Sequence, residues 1–181
     1  LIKHVEVNTK KNLRDDALIE LLYSTGLRVS EVANLKIGDI NFEKSEIKIL
    51  GKGNKQRVVI FNNKSKEKII KYLKNDKRLI SLNTGALFQN KYKQSLSPRS
   101  IQRLLKKYLN FSGINSKYST HTLRHTFATH LLEGGADIKV IQQLLGHSSP
   151  ETTKIYTHLS SPALKNVYNN SHPRSFSKIK N

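Results

Sequence analysis

His121 and Arg124 stand three residues apart in the segment Thr120-His-Thr-Leu-Arg-His125. On a helix that spacing puts both side chains on one side of the first turn, where unpaired N–H groups and the helix dipole favour an anion. Such a pair suits a phosphate group, although a lone His-x-x-Arg reads equally well as a capping histidine beside a surface charge. His121 and His125, four apart, have the spacing of two helical zinc ligands. No Glu intervenes as in zinc proteases and there is no cysteine to complete a structural site, so no metal is expected. Four further positions could carry chemistry: Arg28 with Glu31 three residues on, Lys52 between two glycines, His147 after Gly146, and Tyr156. Each has a plain reading as well, namely a local ion pair, a solvated hairpin charge, the end of a helix, and a core aromatic.

The elements that would position these groups follow from apolar spacing and turn residues. Leu13, Ala17, Leu18, Leu21 and Leu22 predict a first helix that Gly26 ends. Ser30 is placed to cap a short second helix carrying Val32 and Leu35, which leaves Arg28 in the tight connection. Ile47 and Ile49, then Val58 to Phe61, predict a hairpin with Lys52 near its tip. Lys64 to Leu73 predicts a helix with Ile69, Ile70 and Leu73 inward. Residues 75–96 give weak signals apart from a strand at Ala86 to Phe88. Ser97-Pro98 starts a helix whose stripe is Ile101, Leu104, Leu105, Tyr108 and Leu109. Another begins near Thr120 with Leu123, Phe127, Ala128, Leu131 and Leu132 inward and Gly134-Gly135 at its end. Asp137 starts a shorter helix that ends by Gly146, Pro150 opens the one carrying Tyr156, and Pro162 opens a last one with Leu164, Val167 and Tyr168 on one face. After Ser171 the chain reads as a loose basic tail, with His172, like His4, an ordinary surface residue. His125 and His130 read as structural or DNA-facing. The fold class expected is therefore mainly α with a small antiparallel β-sheet.

With 181 residues and 36% hydrophobic content the chain has enough apolar material for one core. Lys and Arg number 32 against 13 Asp and Glu, a formal charge of +19 spread over helical, strand and loop segments alike. A folded surface of that sign implies a polyanionic partner, and nucleic acid suits it better than a membrane does. No apolar run is long enough to span a bilayer and no signal peptide opens the chain, so an intracellular, cytoplasmic and nucleoid-associated protein is expected. Cysteine is absent, which excludes disulfides, thiolate metal sites and cysteine nucleophiles. Methionine is absent too and the first residue is Leu1. The sequence therefore reads as a trimmed piece whose upstream domain is missing.

Taken in order, Thr25-Gly-Leu-Arg-Val-Ser-Glu31, Gly51-Lys-Gly-Asn-Lys55, His121-Thr-Leu-Arg-His125, Leu145-Gly-His147 and Thr152-Thr-Lys-Ile-Tyr-Thr-His158 resemble the tyrosine recombinase family. Within it the chain is most similar to Xer-type recombinases, with the integrases of phages and mobile elements as near relatives. The resemblance implies that residues 1–170 form the catalytic DNA breaking-rejoining domain, that 171–181 are a tail, and that the family's N-terminal core-binding domain lies outside this chain. It implies that Arg28 and Arg124 grip the scissile phosphate, that His121 and His147 complete its hydrogen bonding, that Lys52 is the general acid, that Glu31 supports the site, and that Tyr156 is the nucleophile. It further implies double-stranded DNA with a specific recombination site as substrate, four protomers on two duplexes, and a C-terminal helix docked in trans. No cofactor is implied.

That chemistry suits these residue types. A phosphodiester under attack gains charge on its non-bridging oxygens, so fixed cations and N–H donors are the principal catalysts. Two arginines supply planar forks of donors. A phenol titrates near a pKa of about 10, so Tyr156 needs surrounding positive charge or a base to attack at neutral pH, and His121 is the candidate base. The product is a 3′-phosphotyrosine that a 5′ hydroxyl can reverse, without metal or ATP. The readings left beside recombination are a type IB topoisomerase-like activity and a basic DNA-binding module without catalysis.

Overall fold

A computed structural model describes residues 12–50, 56–76, 85–113, 118–146 and 161–175. Helix α1, Leu13–Thr25, is capped by the Asn12 side chain, which accepts from the Asp15 N–H at 3.2 Å, and Asp15 and Asp16 in its first turn oppose the positive end of its dipole. It closes at Gly26, whose φ of 60° is the left-handed conformation that glycine adopts without a Cβ penalty. The apolar stripe predicts one buried face, but every residue from Asp15 to Thr25 is buried. Polar groups inside it are tolerated because they are paired. Tyr108 Oη donates to Asp15 at 2.8 Å, Lys68 donates to Asp16 and Glu20 at 2.8 and 3.3 Å, and Thr25 Oγ1 donates back to the Leu21 carbonyl at 2.6 Å.

Helix α2, Val29–Asn34, starts two residues earlier than a Ser30 cap requires. Arg28 occupies the N-cap position, and the Glu31 carboxylate takes its backbone N–H at 2.8 Å. A 3-10 turn at Ile37–Asp39 leads into strands β1 (Ile40–Asn41), β2 (Glu46–Leu50) and β3 (Gln56–Ile60), an antiparallel sheet in the order β1-β2-β3. Ile47 pairs with Val59 and Ile49 with Arg57, so these four side chains share one sheet face. Ile47, Ile49 and Val59 bury there, and Arg57 is thereby aimed inward.

Helix α3, Asn63–Asn75, is capped by Asn62 and buries Ile69, Tyr72 and Leu73, with Ile70 only half-buried. Ala86 to Phe88 make no strand of their own. Ala86 bridges to Lys36, the Leu87 N–H donates to the Leu35 carbonyl at 2.7 Å, and Leu87 and Phe88 are buried. Helix α4, Pro98–Phe111, has Ser97 as N-cap and buries Ile101, Leu105, Tyr108 and Leu109. Helix α5, Thr120–Glu133, buries Leu123, Phe127 and Leu131, whereas Leu132, read as inward, is 53% exposed because it lies a residue past the stripe. Helix α6, Ile138–Leu145, runs from the Asp137 cap to Gly146, again left-handed at φ 67°. The mainly helical fold with a small antiparallel sheet is thus present. One core gathers α1 to α4 with the sheet, and a second joins α5, α6 and the last helix, with α1 packed against both α3 and α5.

Helix α7, Ser161–Ser171, lies on its own chain: Leu164 and Tyr168 bury with Phe127 and Leu131, and Tyr168 Oη donates to the Ser24 carbonyl at 2.9 Å. Within one chain the C-terminal helix therefore packs on its own domain. The tail beyond it is not loose where described. His172 is fully buried, stacked on Tyr168 with ring centroids 4.9 Å apart. Arg174 reaches the buried Glu20 carboxylate at 2.5 Å and lies over the Tyr23 ring. Burial, with the neighbouring His130 and Arg174, lowers the His172 pKa from 6.5 to about 3. The folded state thus refuses a proton that the unfolded chain accepts, so this contribution is complete above pH 6.5 and is lost as pH falls toward 3. His172→Phe should lose less stability on acidification than the parent, the gap reaching roughly 3 kcal/mol by pH 4 in urea titrations. Parallel pH profiles for the two proteins would refute the buried neutral histidine.

Candidate active site

Glu31 stands on the first turn of α2 with its side chain 10% exposed. Both its oxygens are held by the Arg57 guanidinium, Nη1 to Oε1 at 2.8 Å and Nη2 to Oε2 at 3.0 Å, the parallel fork that planar guanidinium and carboxylate groups favour. Arg28 approaches the same carboxylate less closely, with Nη1 3.4 Å from Oε1, and its Nη2 lies 3.5 Å from the Gly146 carbonyl. Burial alone pushes the Glu31 carboxyl up. The hydrogen bonds from Arg57 and from the Arg28 N–H, with the charges of both arginines, outweigh that and hold its pKa below the ordinary value of 4.5. At neutral pH the group is a carboxylate.

Arg124 lies one turn into α5 and crosses to two helix ends. Its Nη1 donates to the Gly26 carbonyl at 2.5 Å and its Nη2 to the Leu145 carbonyl at 2.7 Å, at the C-termini of α1 and α6. Carbonyls at helix ends lack intrahelical partners and sit at the negative pole of the dipole, so they suit a guanidinium. Burial first, then repulsion from Arg28 and Arg57 against attraction by Glu31, bring the Arg124 pKa down to about 10, which leaves it charged at neutral pH. The second hydrogen of each terminal nitrogen is available to another acceptor. Glycine is required at both helix ends. A Cβ on Gly26 would lie 2.5 Å from Phe127 Cδ1, and one on Gly146 would lie 2.8 Å from Arg57 Cζ.

Of the positions singled out in the sequence, the fold brings Arg28, Glu31 and Arg124 to one place. His121 projects, exposed, from the first turn of α5 three residues before Arg124. Lys52, His147 and Tyr156 lie outside the described residues. Of their described neighbours in sequence, Arg57 and Gly146 stand at the cluster, the first paired with Glu31 and the second accepting from Arg28 at 3.5 Å. Arg57, which the sequence reading does not single out, belongs to the cluster. Its one signal is a charge at a position whose strand neighbour, Ile49, faces the core. His130 is structural, bonded through Nδ1 to Tyr23 Oη at 2.8 Å, and His125 is exposed. Arg124→Lys keeps the charge but cannot span both carbonyls as a planar fork, so its unfolding free energy should drop by about 1–3 kcal/mol in chemical denaturation. A variant as stable as the parent would contradict this bridging role.

The model of the phage integrase family matches residues 1–162. Tyrosine recombinase XerD of Corynebacterium glutamicum is 45% identical over 175 residues, which cover 96% of this chain and 58% of that protein. Among solved structures, XerA recombinase superposes with a TM-score of 0.74 at 35% identity, covering 96% of this chain and 63% of that one. XerH site-specific recombinase bound to its difH substrate in a pre-cleavage complex superposes at 0.70 with 28% identity, covering 93% and 51%. The chain thus spans between half and two thirds of the length of these relatives. A family match over most of its length, an identity of 45% to a Xer protein and the shared fold establish that this chain belongs to the phage integrase family of tyrosine recombinases and is Xer-like.

Proposed function

We propose that this chain breaks and rejoins DNA for site-specific recombination of the Xer type, with Tyr156 forming a 3′-phosphotyrosine. The observation that carries the reading is the convergence of Arg28 and Arg124, from two separate helices, beside a carboxylate that keeps the cluster charged. Two guanidiniums with unspent donors in a partly buried setting are what a phosphodiester gaining charge in the transition state requires. In this reading they hold the non-bridging oxygens, and His121 and His147 add hydrogen bonds. Tyr156 attacks phosphorus as its proton passes to a base, His121 being the candidate. Lys52 protonates the departing 5′ oxygen, for which a bare alkoxide is a poor leaving group. The phosphoryl group stays in an ester of similar energy, so the reaction as proposed needs neither metal nor ATP and reverses when a 5′ hydroxyl attacks.

The formal charge of +19 supports double-stranded DNA as the substrate, and the XerH complex with difH supports a defined site. The working assembly proposed is four protomers on two duplexes, with α7 exchanged from its cis seat into a neighbour. A chromosomal role in the cytoplasm, on the nucleoid, fits this reading. Among the described residues no helix is long and apolar enough to cross a membrane.

Incubation with nicked suicide DNA should give a covalent adduct that resists denaturing gels, maps to Tyr156 and disappears in Tyr156→Phe. No adduct, or one on another residue, overturns the mechanism. DNA affinity should fall steeply with added salt, about tenfold or more between 50 and 200 mM, since several phosphates are neutralised. Affinity indifferent to salt would place recognition elsewhere than on the basic surface.

A further inference from the structure

Glu31 offers one carboxylate to two arginines. Arg28 is its neighbour at i−3 on the same turn, a spacing from which a guanidinium readily closes onto a carboxylate. It closes only loosely here: its side chain is 44% exposed and its nearer nitrogen pairs with Oε1 at 3.4 Å, the longest of the contacts on this carboxylate. Arg57, 26 residues away in sequence, takes the shorter side-chain contacts, a fork on both oxygens at 2.8 and 3.0 Å. Arg57 is itself confined. Register opposite Ile49 sends it to the inner sheet face, its side chain is 16% exposed, and a Cβ added to Gly146, which is left-handed at φ 67°, would meet its guanidinium at 2.8 Å. It also stands on the strand that continues from the Lys52 segment and packs beneath the residue preceding His147.

We infer that Arg57 is a positioning residue that outcompetes Arg28 for the closer side-chain contacts on Glu31, so that Arg28 is held by its backbone N–H and only loosely by its guanidinium, which stays available for a phosphate oxygen. Without Arg57, Arg28 closes on Glu31 and is withdrawn from substrate. Arg57 touches neither DNA nor the reacting atoms in this scheme. It acts through a competition, and the competition distinguishes it from a residue that merely stabilises the fold. The inference rests on the recombinase reading for its catalytic consequence, but the arrangement of the three side chains can be read without catalysis.

The test uses the 181-residue chain with Arg57→Ala, Arg57→Lys, Glu31→Gln and the double variant Arg57→Ala/Glu31→Gln. Single-turnover adduct formation on nicked DNA is measured beside thermal melts. Arg57→Ala should cleave about 100-fold more slowly, and Arg57→Lys, with one ammonium in place of a fork, should fall between it and the parent. The double variant should cleave about tenfold faster than Arg57→Ala alone, because a neutral amide releases Arg28. A double variant as slow as Arg57→Ala, or slower, overturns the inference, as does a rate loss that follows the melting temperature across the set. Labelling of arginines by phenylglyoxal, mapped by mass spectrometry, supplies the readout independent of cleavage. Arg28 should label in the parent, be protected in Arg57→Ala and label again in the double variant, and unchanged labelling across the set overturns the inference. If the parent forms no adduct, the recombinase reading falls, while the labelling still decides whether Arg57 keeps the pair apart.

Discussion

A carboxylate cannot be buried without counter-charge, and the Glu31 side chain, 10% exposed, is answered by two guanidiniums and a backbone N–H. Much of the local architecture follows from satisfying it. The sheet must present a cation on its inner face, which the register of β2 and β3 does at Arg57. Gly146 must end α6 without a side chain, since Arg57 fills the space a Cβ would need. The α1–α2 connection must be tight enough for Arg28 to be an N-cap, which the left-handed Gly26 permits. Electrostatics at one group thus fixes the relation among a helix start, a strand and a helix end that have no sequence neighbours in common.

Arg124 solves a second problem with the same chemistry. The ends of α1 and α6 leave carbonyls that no helical N–H reaches, and they are partly buried, so water is a poor substitute. One guanidinium answers both, drawing the two helix ends together near Arg28. Burial first, and then the fields of Arg28 and Arg57, lower the Arg124 pKa, and Glu31 opposes them. The cluster of arginines therefore contains an internal anion, whose placement decides how much positive charge remains unanswered.

What could be read from the sequence divides along physical lines. Helices announced by local chemistry were legible: the Ser97-Pro98 start, the Asp137 cap, and the glycines at 26 and 146 are decided within a few residues of chain. Arg28, Glu31 and Arg124 stand together in the fold, Arg28 and Glu31 on one turn and Arg124 from a separate helix. Arg57 was not legible, since a strand arginine beside a lysine-rich segment looks like a solvated charge until its partner 26 residues away is known. The same holds for His172, which looks like part of a basic tail until the stack with Tyr168 and the Arg174–Glu20 pair supply its surroundings. Leu132 errs the other way, an apolar residue on a helix whose stripe ends just before it.

The carboxylates inside the fold change how the outside is seen. Asp15, Asp16 and Glu20 are buried and Glu31 nearly so, each facing a cation or a phenol within the protein. The exterior therefore carries less of the acidic complement than the composition suggests, and its field is more uniformly of one sign. Two such bodies repel each other across water at low ionic strength. A polyanion laid between them would cancel that repulsion, so turning the acids inward makes the approach of two copies depend on what screens their charge.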